Sequence, residues 1–226
     1  MDYKPDELIV IGDWWDMPSL SSWNKPGSLS NEGQRIAADA EVGNEALRVL
    51  MAPTNAEIDR LKRGKRKQWN LRKRYFRGNH EQRIERAVEA DPKLEGIVSY
   101  DMLDTQGFEV YEYLQIEEID GIAYSHYFAN SHSGRAIGGS IDNRLNKIGN
   151  SFVQGHEQGL LYGIRQFPGK LTRHGLVAGS FYLHDEAYRG RQGNNEWRGI
   201  VVLNGVVDGD YDVMPLRMDY LRRKYG

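Results

Sequence analysis

Leu8-Ile9-Val10-Ile11-Gly12-Asp13-Trp14-Trp15-Asp16 is the stretch on which the reading of this chain turns. Four β-prone apolar residues stop at a Gly-Asp pair, the pattern of a buried strand that delivers polar side chains at its C-terminal end. Ligands of α/β sheets gather at such ends. Outward from it, a polar loop with Pro18, Pro26 and Gly27 leads into residues 31–51, where Ile36, Ala40, Leu47 and Leu50 fall near helical spacing and Pro53 predicts the end of the helix. A dense basic run follows from Arg60 to Arg77, and its last part reads as a second strand entering the turn Gly78-Asn79-His80-Glu81. Ile84 and Val88 lie one helical turn apart, so residues 81–89 predict a helix leading away from that turn.

The second half changes character. Residues 108–114, 116–119, 121–125, 151–154, 160–165, 176–178 and 199–203 are short β-branched or aromatic runs separated by Gly, Asp and Asn turns, each predicting a strand. The first half is therefore α/β and the second mostly β. No repeat or linker divides them, so residues 1–226 are expected to form one domain.

Composition narrows the chemistry. With 30 Lys and Arg against 32 Asp and Glu the formal charge is −2, so any attraction for a polyanion must be local. The absence of cysteine excludes disulfides, thiolate zinc sites, iron–sulfur clusters and cysteine nucleophiles. No long apolar window and no secretory pattern at the start predict a chain that stays in the cytoplasm and off membranes.

Four strand-end signals remain: Gly12-Asp13 with Asp16, Gly78-Asn79-His80-Glu81, Ser125-His126, and Gly155-His156-Glu157-Gln158. Together they offer carboxylate, carboxamide and imidazole donors, a set suited to a divalent first-row metal rather than to calcium or a soft metal. Each also has an ordinary reading, Asp13 as a turn former and His126 and His156 as satisfied structural histidines. The four in order shift the balance to ligation.

At these residues the chain resembles the calcineurin-like metallophosphoesterase superfamily, whose motifs run DxH, GDxxD, GNHE, a lone His and GHxH. Residues 12–16 match GDxxD, 78–81 match GNHE, His126 matches the lone histidine, and Gly155-His156 opens GHxH. The ending resembles phage-encoded members. The resemblance implies a four-layer α-β-β-α sandwich with metal-bearing loops at one edge. It implies that Asp13, Asn79, His126 and His156 hold metal, that hydroxide activated by the metal attacks a phosphate ester, and that His80 assists the leaving group. Manganese is the first expectation, with iron, zinc or nickel as alternatives, in one or two ions. Glu81 is expected to orient His80, Arg83 to contact phosphate, and Asp16 to support the loop.

Two departures accompany the resemblance. DxH is absent, as if the first strand and helix were missing, and Gln158 stands where GHxH has its second histidine, with a carbonyl oxygen still able to serve a second metal. A truncated or mis-started chain, a one-metal protein and a non-catalytic metal-binding or assembly protein all fit these losses. Losing the first strand would expose a sheet edge and favour a homo-oligomer. Phosphomonoesters and phosphodiesters, nucleotides or nucleic acid among them, are the expected substrates. The basic run is either a solvated face or a patch that draws in nucleic acid. Trp14 and Trp15 are expected to pack. His174 and His184 are expected on the surface or in loops, and His132 beside Gly134, Gly138 and Gly139 is the reserve for an anion-binding loop.

Overall fold

The computed structural model describes residues 3–22, 32–169, 171–185 and 193–226, and divides the chain into two compact units, Met1–Tyr113 and Leu114–Gly226. Where one domain was expected, the boundary falls at the change of character from α/β to mostly β.

In the first unit, strands β1 (Glu7–Val10), β2 (Arg72–Phe76) and β3 (Glu109–Tyr111) form a parallel sheet in that order, with β1 on an edge. Register puts Glu7 opposite Arg72, and Arg74 opposite both Ile9 and Glu109. Arg74 Nε donates to Glu7 at 2.7 Å, so opposite charges on alternate positions help to set the pairing. The crossover from β1 to β2 contains α1 (Ile36–Arg63), whose buried residues Ala40, Asn44, Leu47 and Met51 recur at the spacing of one helical face. That face packs with Trp15, Met17, Tyr75 and Ile84 in the core.

The helix is longer than its sequence pattern predicts. Residue 31, its predicted start, and Pro26 and Gly27 lie outside the described residues, but Pro53 lies inside the helix rather than beyond its end. Proline there forfeits one intrahelical bond and crowds the carbonyl four residues back. Burial of Met51 on one side and Leu61 on the other carries the helix across. Arg60, Lys62 and Arg63 then occupy its last turn, where cations suit the helix dipole. The predicted helix after Glu81 is α2 (Arg83–Ala90).

The second unit holds a five-stranded mixed sheet in the order β4 (Glu117–Ile119), β5 (Ile122–Ser125), β6 (Ser151–Gln154), β8 (Leu171–Ala178), β7 (Leu160–Phe167). Helix α3 (Ile141–Ile148) links β5 to β6, as a parallel pair requires. It packs Leu145 with Phe128 and Phe152. Strands β9 (Gly199–Val207) and β10 (Asp210–Arg217) form a hairpin, followed by α4 (Met218–Tyr225). Helix α3, strand β10 and α4 were not predicted. No helix among the described residues is long and apolar enough to cross a membrane.

Pro53→Ala should raise the unfolding free energy by about 1–2 kcal/mol, the interior-proline penalty of about 3 kcal/mol less the entropy that proline removes from the unfolded chain. Urea denaturation of the two proteins measures it. No gain would mean that the helix already relieves the strain at Pro53.

Candidate metal centre

The donors of the first unit are arranged around one buried carboxylate. Glu81 is fully buried, and its Oε2 accepts from the backbone N–H of Asp13 at 3.0 Å and of Gly78 at 2.7 Å. Its Oε1 accepts from the N–H of Trp15 at 2.9 Å and from the Tyr75 hydroxyl at 2.6 Å. One side chain thereby ties the loop after β1 to the turn after β2. Burial and the nearby Asp13 charge push the Glu81 carboxyl above its usual range, while the hydrogen bonds from Tyr75, Trp15 and Gly78 oppose that. Burial and the Glu81 charge likewise raise Tyr75, which keeps its hydroxyl a donor.

The two segments meet closely. A Cβ on Gly78 would lie 2.2 Å from Asp13 Oδ1, so only glycine fits at that point of GNHE. Asp13 itself holds a left-handed backbone at φ 59°, a conformation that costs a non-glycine residue about 1 kcal/mol or more. Its Oδ1 accepts from the His80 N–H at 3.0 Å. Trp14 and Trp15 anchor the same loop to α1, donating to the Gly43 carbonyl and to Asn44 Oδ1. They pack, as expected.

Two expected roles are exchanged. Glu81 does not orient His80, because its oxygens are taken by the four donors just named. The partner of His80 is Asp16, whose Oδ1 lies 2.5 Å from Nδ1. The expectation that Arg83 contacts phosphate also needs correction. Arg83 is buried and donates to the Asp16 carbonyl at 2.6 Å, with another nitrogen 3.3 Å from His80 Nε2. It holds the loop and the ring. The hydrogen bond with His80, helped by the charges of His80 and Arg83, holds the Asp16 carboxyl below the usual carboxylate range. Asn79 sits half-buried between Gly78 and His80, its carbonyl accepting from Arg86 at 3.4 Å.

In the second unit, His126 follows β5 and His156 follows β6, two parallel neighbours. The Gly155 N–H donates to the His126 carbonyl at 3.0 Å and joins the two strand ends. The imidazoles stand edge to face with centroids 5.2 Å apart, and Tyr127 lies 4.7 Å from the His156 ring. His126 is buried and His156 exposed, the latter also left-handed at φ 64°. The loop after His156 is held by Arg144, a buried residue of α3 that donates to the Gly139 carbonyl and, at 2.9 Å, to Glu157. Gln158 lies in the same loop, its carbonyl accepting from Ser180.

Carboxylate and imidazole donors that could hold a metal ion are thus Asp13 in the first unit and His126 and His156 in the second. Sequence reasoning missed the supports: Tyr75, Arg144 and Glu157. It also misplaced His174, which is buried in β8 rather than at the surface, with Tyr162 Oη 2.8 Å from Nδ1 and Asp210 Oδ1 2.5 Å from Nε2. His132 is exposed in a turn where Asn130 Oδ1 accepts its N–H, and His184 stacks on Tyr182.

Comparison with known proteins adds one partial likeness. Over 58 residues, 26% of this chain, it is 43% identical to the "Gene 54 protein" of Mycobacterium phage D29. The match spans only 21% of that protein's length. No family model and no solved structure matches.

Glu81→Gln should cost about 3 kcal/mol of stability, since an amide NH₂ would face two donors in place of a shared acceptor oxygen. Chemical denaturation measures it, and a loss under 1 kcal/mol would show that the clamp is dispensable. The lowered Asp16 carboxyl gives a pH test. Its contribution is present above the ordinary aspartate pKa of about 3.9 and is lost as pH falls through the folded-state value. The stability gap between wild type and Asp16→Asn, small because the Asp16 side chain is 61% exposed, should therefore close on acidification from pH 6 to 3. A gap that persists in thermal melts at pH 3 would contradict it.

Proposed function

We propose that this chain is a metal-dependent phosphoester hydrolase of the calcineurin-like type, with Asp13, Asn79, His126 and His156 as the metal-holding residues and His80 assisting the leaving group. The observation that carries the reading is the interlock of Asp13 with the Gly78–Glu81 turn: two motifs more than sixty residues apart meet so closely that a single added carbon would not fit. A carboxylate held that tightly on a strained backbone is a cost that a ligand would justify. The imidazole pair of the second unit supports the same reading, because neighbouring strand ends supply two borderline nitrogen donors.

The donor set suits manganese, iron, zinc or nickel. Such a cation, when bound, supplies Lewis acidity and a nucleophile at neutral pH. The protein's own part begins with His80. Asp16 and Arg83 lie against its two ring nitrogens and fix the orientation of the ring. With the ring so held, His80 passes a proton to the departing oxygen, a role worth about 10²–10⁴ in rate. The four-layer sandwich lacking its first strand and helix belongs to this proposal, as do a phage origin, a site of action in the host cytoplasm, and a homo-oligomer built on the open edge of β1. The partial likeness to a mycobacteriophage protein fits that origin.

Nucleic acid is the polyanionic partner we favour, and the exposed part of the basic run is where it would bind. Lys62, Arg63, Lys65, Arg66 and Lys67 are exposed. Farther along, Arg72 and Arg74 pair with Glu7, Lys73 with the Gln106 carbonyl, and Arg77 with Glu112.

Release of p-nitrophenol from p-nitrophenyl phosphate and bis-p-nitrophenyl phosphate with added Mn²⁺ tests the enzyme reading. Wild type should exceed Asn79→Ala and His80→Ala by about 10²-fold or more. Equal background rates in all three, with Mn²⁺ still bound, would favour the rival reading of a non-catalytic metal-binding protein.

A further inference from the structure

The second unit contains a polar group that its fold does not explain. Gln154, the last residue of β6, is 0% exposed, yet neither Oε1 nor Nε2 of its carboxamide has a hydrogen-bond partner. Leaving such a group unsatisfied costs about 1–3 kcal/mol. Its neighbours do not share the problem: Ser125, directly opposite in register, donates to the Tyr127 carbonyl at 3.1 Å. Buried His174 has a partner at each ring nitrogen. A leucine or methionine at 154 would serve a sheet core better, so the amide calls for a reason outside the fold.

Its position supplies one. Ser125 precedes His126, and His156 follows Gln154 by two residues, so the carboxamide belongs to the point of the sheet where both imidazoles leave it. The bond from Gly155 N–H to the His126 carbonyl ties those ends together there. We infer that Gln154 is a positioning residue of the His126–His156 cation site, its carboxamide hydrogen-bonding solvent held in that site. The inference rests on the metal reading given above. A carboxamide is suited to the task because it offers an acceptor and two donors, carries no charge and does not titrate. It can order solvent near a cation without adding to the net charge there.

The test uses the full chain as wild type, Gln154→Leu and Gln154→Met. Mn²⁺ binding is followed by calorimetry, Co²⁺ binding by visible absorption, and the metal-free proteins by thermal melting. Both variants should melt no lower than wild type without metal, bind Mn²⁺ about tenfold more weakly, and shift the Co²⁺ absorption bands. Wild-type affinity together with an unchanged Co²⁺ spectrum in the variants would overturn the inference and leave the metal reading standing. A metal-free melting point far below wild type in both variants, or failure of both to fold, would assign Gln154 to the core and overturn it as well. A wild-type chain that takes up neither cation would overturn the metal reading, and this inference with it.

Discussion

A buried carboxylate that collects four donors is the constraint on which the first unit depends. Carrying the Glu81 charge out of water is expensive, and the hydrogen bonds from Asp13, Trp15, Gly78 and Tyr75 offset that cost. Those donors come from the end of β2, from the turn after it and from the loop after β1, so none of the three segments can shift alone. The loop is fixed on its other side by α1, where a Cβ on Gly43 would lie 2.1 Å from Trp15. Glycine at 43 lets the indole lie on the helix backbone, and glycine at 78 lets Asp13 approach the turn. The strained backbone of Asp13 persists because its surroundings leave it no alternative.

The second unit reaches the same end with the charge reversed. There the left-handed residue is His156, and the buried ion beside its loop is the Arg144 guanidinium, bound to the Gly139 carbonyl and the Glu157 carboxylate. The difference follows from what each loop presents. Loops that turn N–H groups inward need an anion at their centre, as at Glu81; a loop that presents a carbonyl and a carboxylate needs a guanidinium, whose fork of donors can meet several oxygens. In both units a donor that could hold metal sits on strained backbone while a neighbouring buried ion absorbs the freedom of the loop.

The strand ends that carry these donors were legible in the sequence because each joins an apolar run to glycine or a turn, and β1, β2, β5 and β6 lie where those runs predict. Other features depended on partners too distant to read. His174 lies between Arg173 and Gly175 in a stretch that looks like an exposed strand or loop, and its burial needs Asp210 and Tyr162 from other strands. Helix α3 has few apolar residues, and one of its two buried positions is the arginine whose counterion lies beyond the next strand. Glu81 misled by proximity: beside His80 in sequence, it turns to the backbone of two loops, and Asp16 takes the ring instead.

The run from Arg60 to Arg77 shows how charge density in sequence can hide two different physical situations. Its first part ends a helix, where Arg60 pairs with Glu57 and the exposed cations after it face water and the negative end of the helix dipole. Its second part is a strand in which cations alternate with residues that pack, and cross-strand acids neutralise them: Glu7 for Arg72 and Arg74, Glu109 for Arg74 and Glu112 for Arg77. Arg77 also lies over the Tyr100 ring at 3.6 Å, which adds a cation–π contact to the pair. A cation already serving sheet register must lose its acid before it can neutralise a phosphate. A cation exposed at a helix end releases only water and counterions. The field available to a polyanion therefore comes from residues 62–67, while residues 72–77 hold the strand that leads to Asn79 and His80 in place.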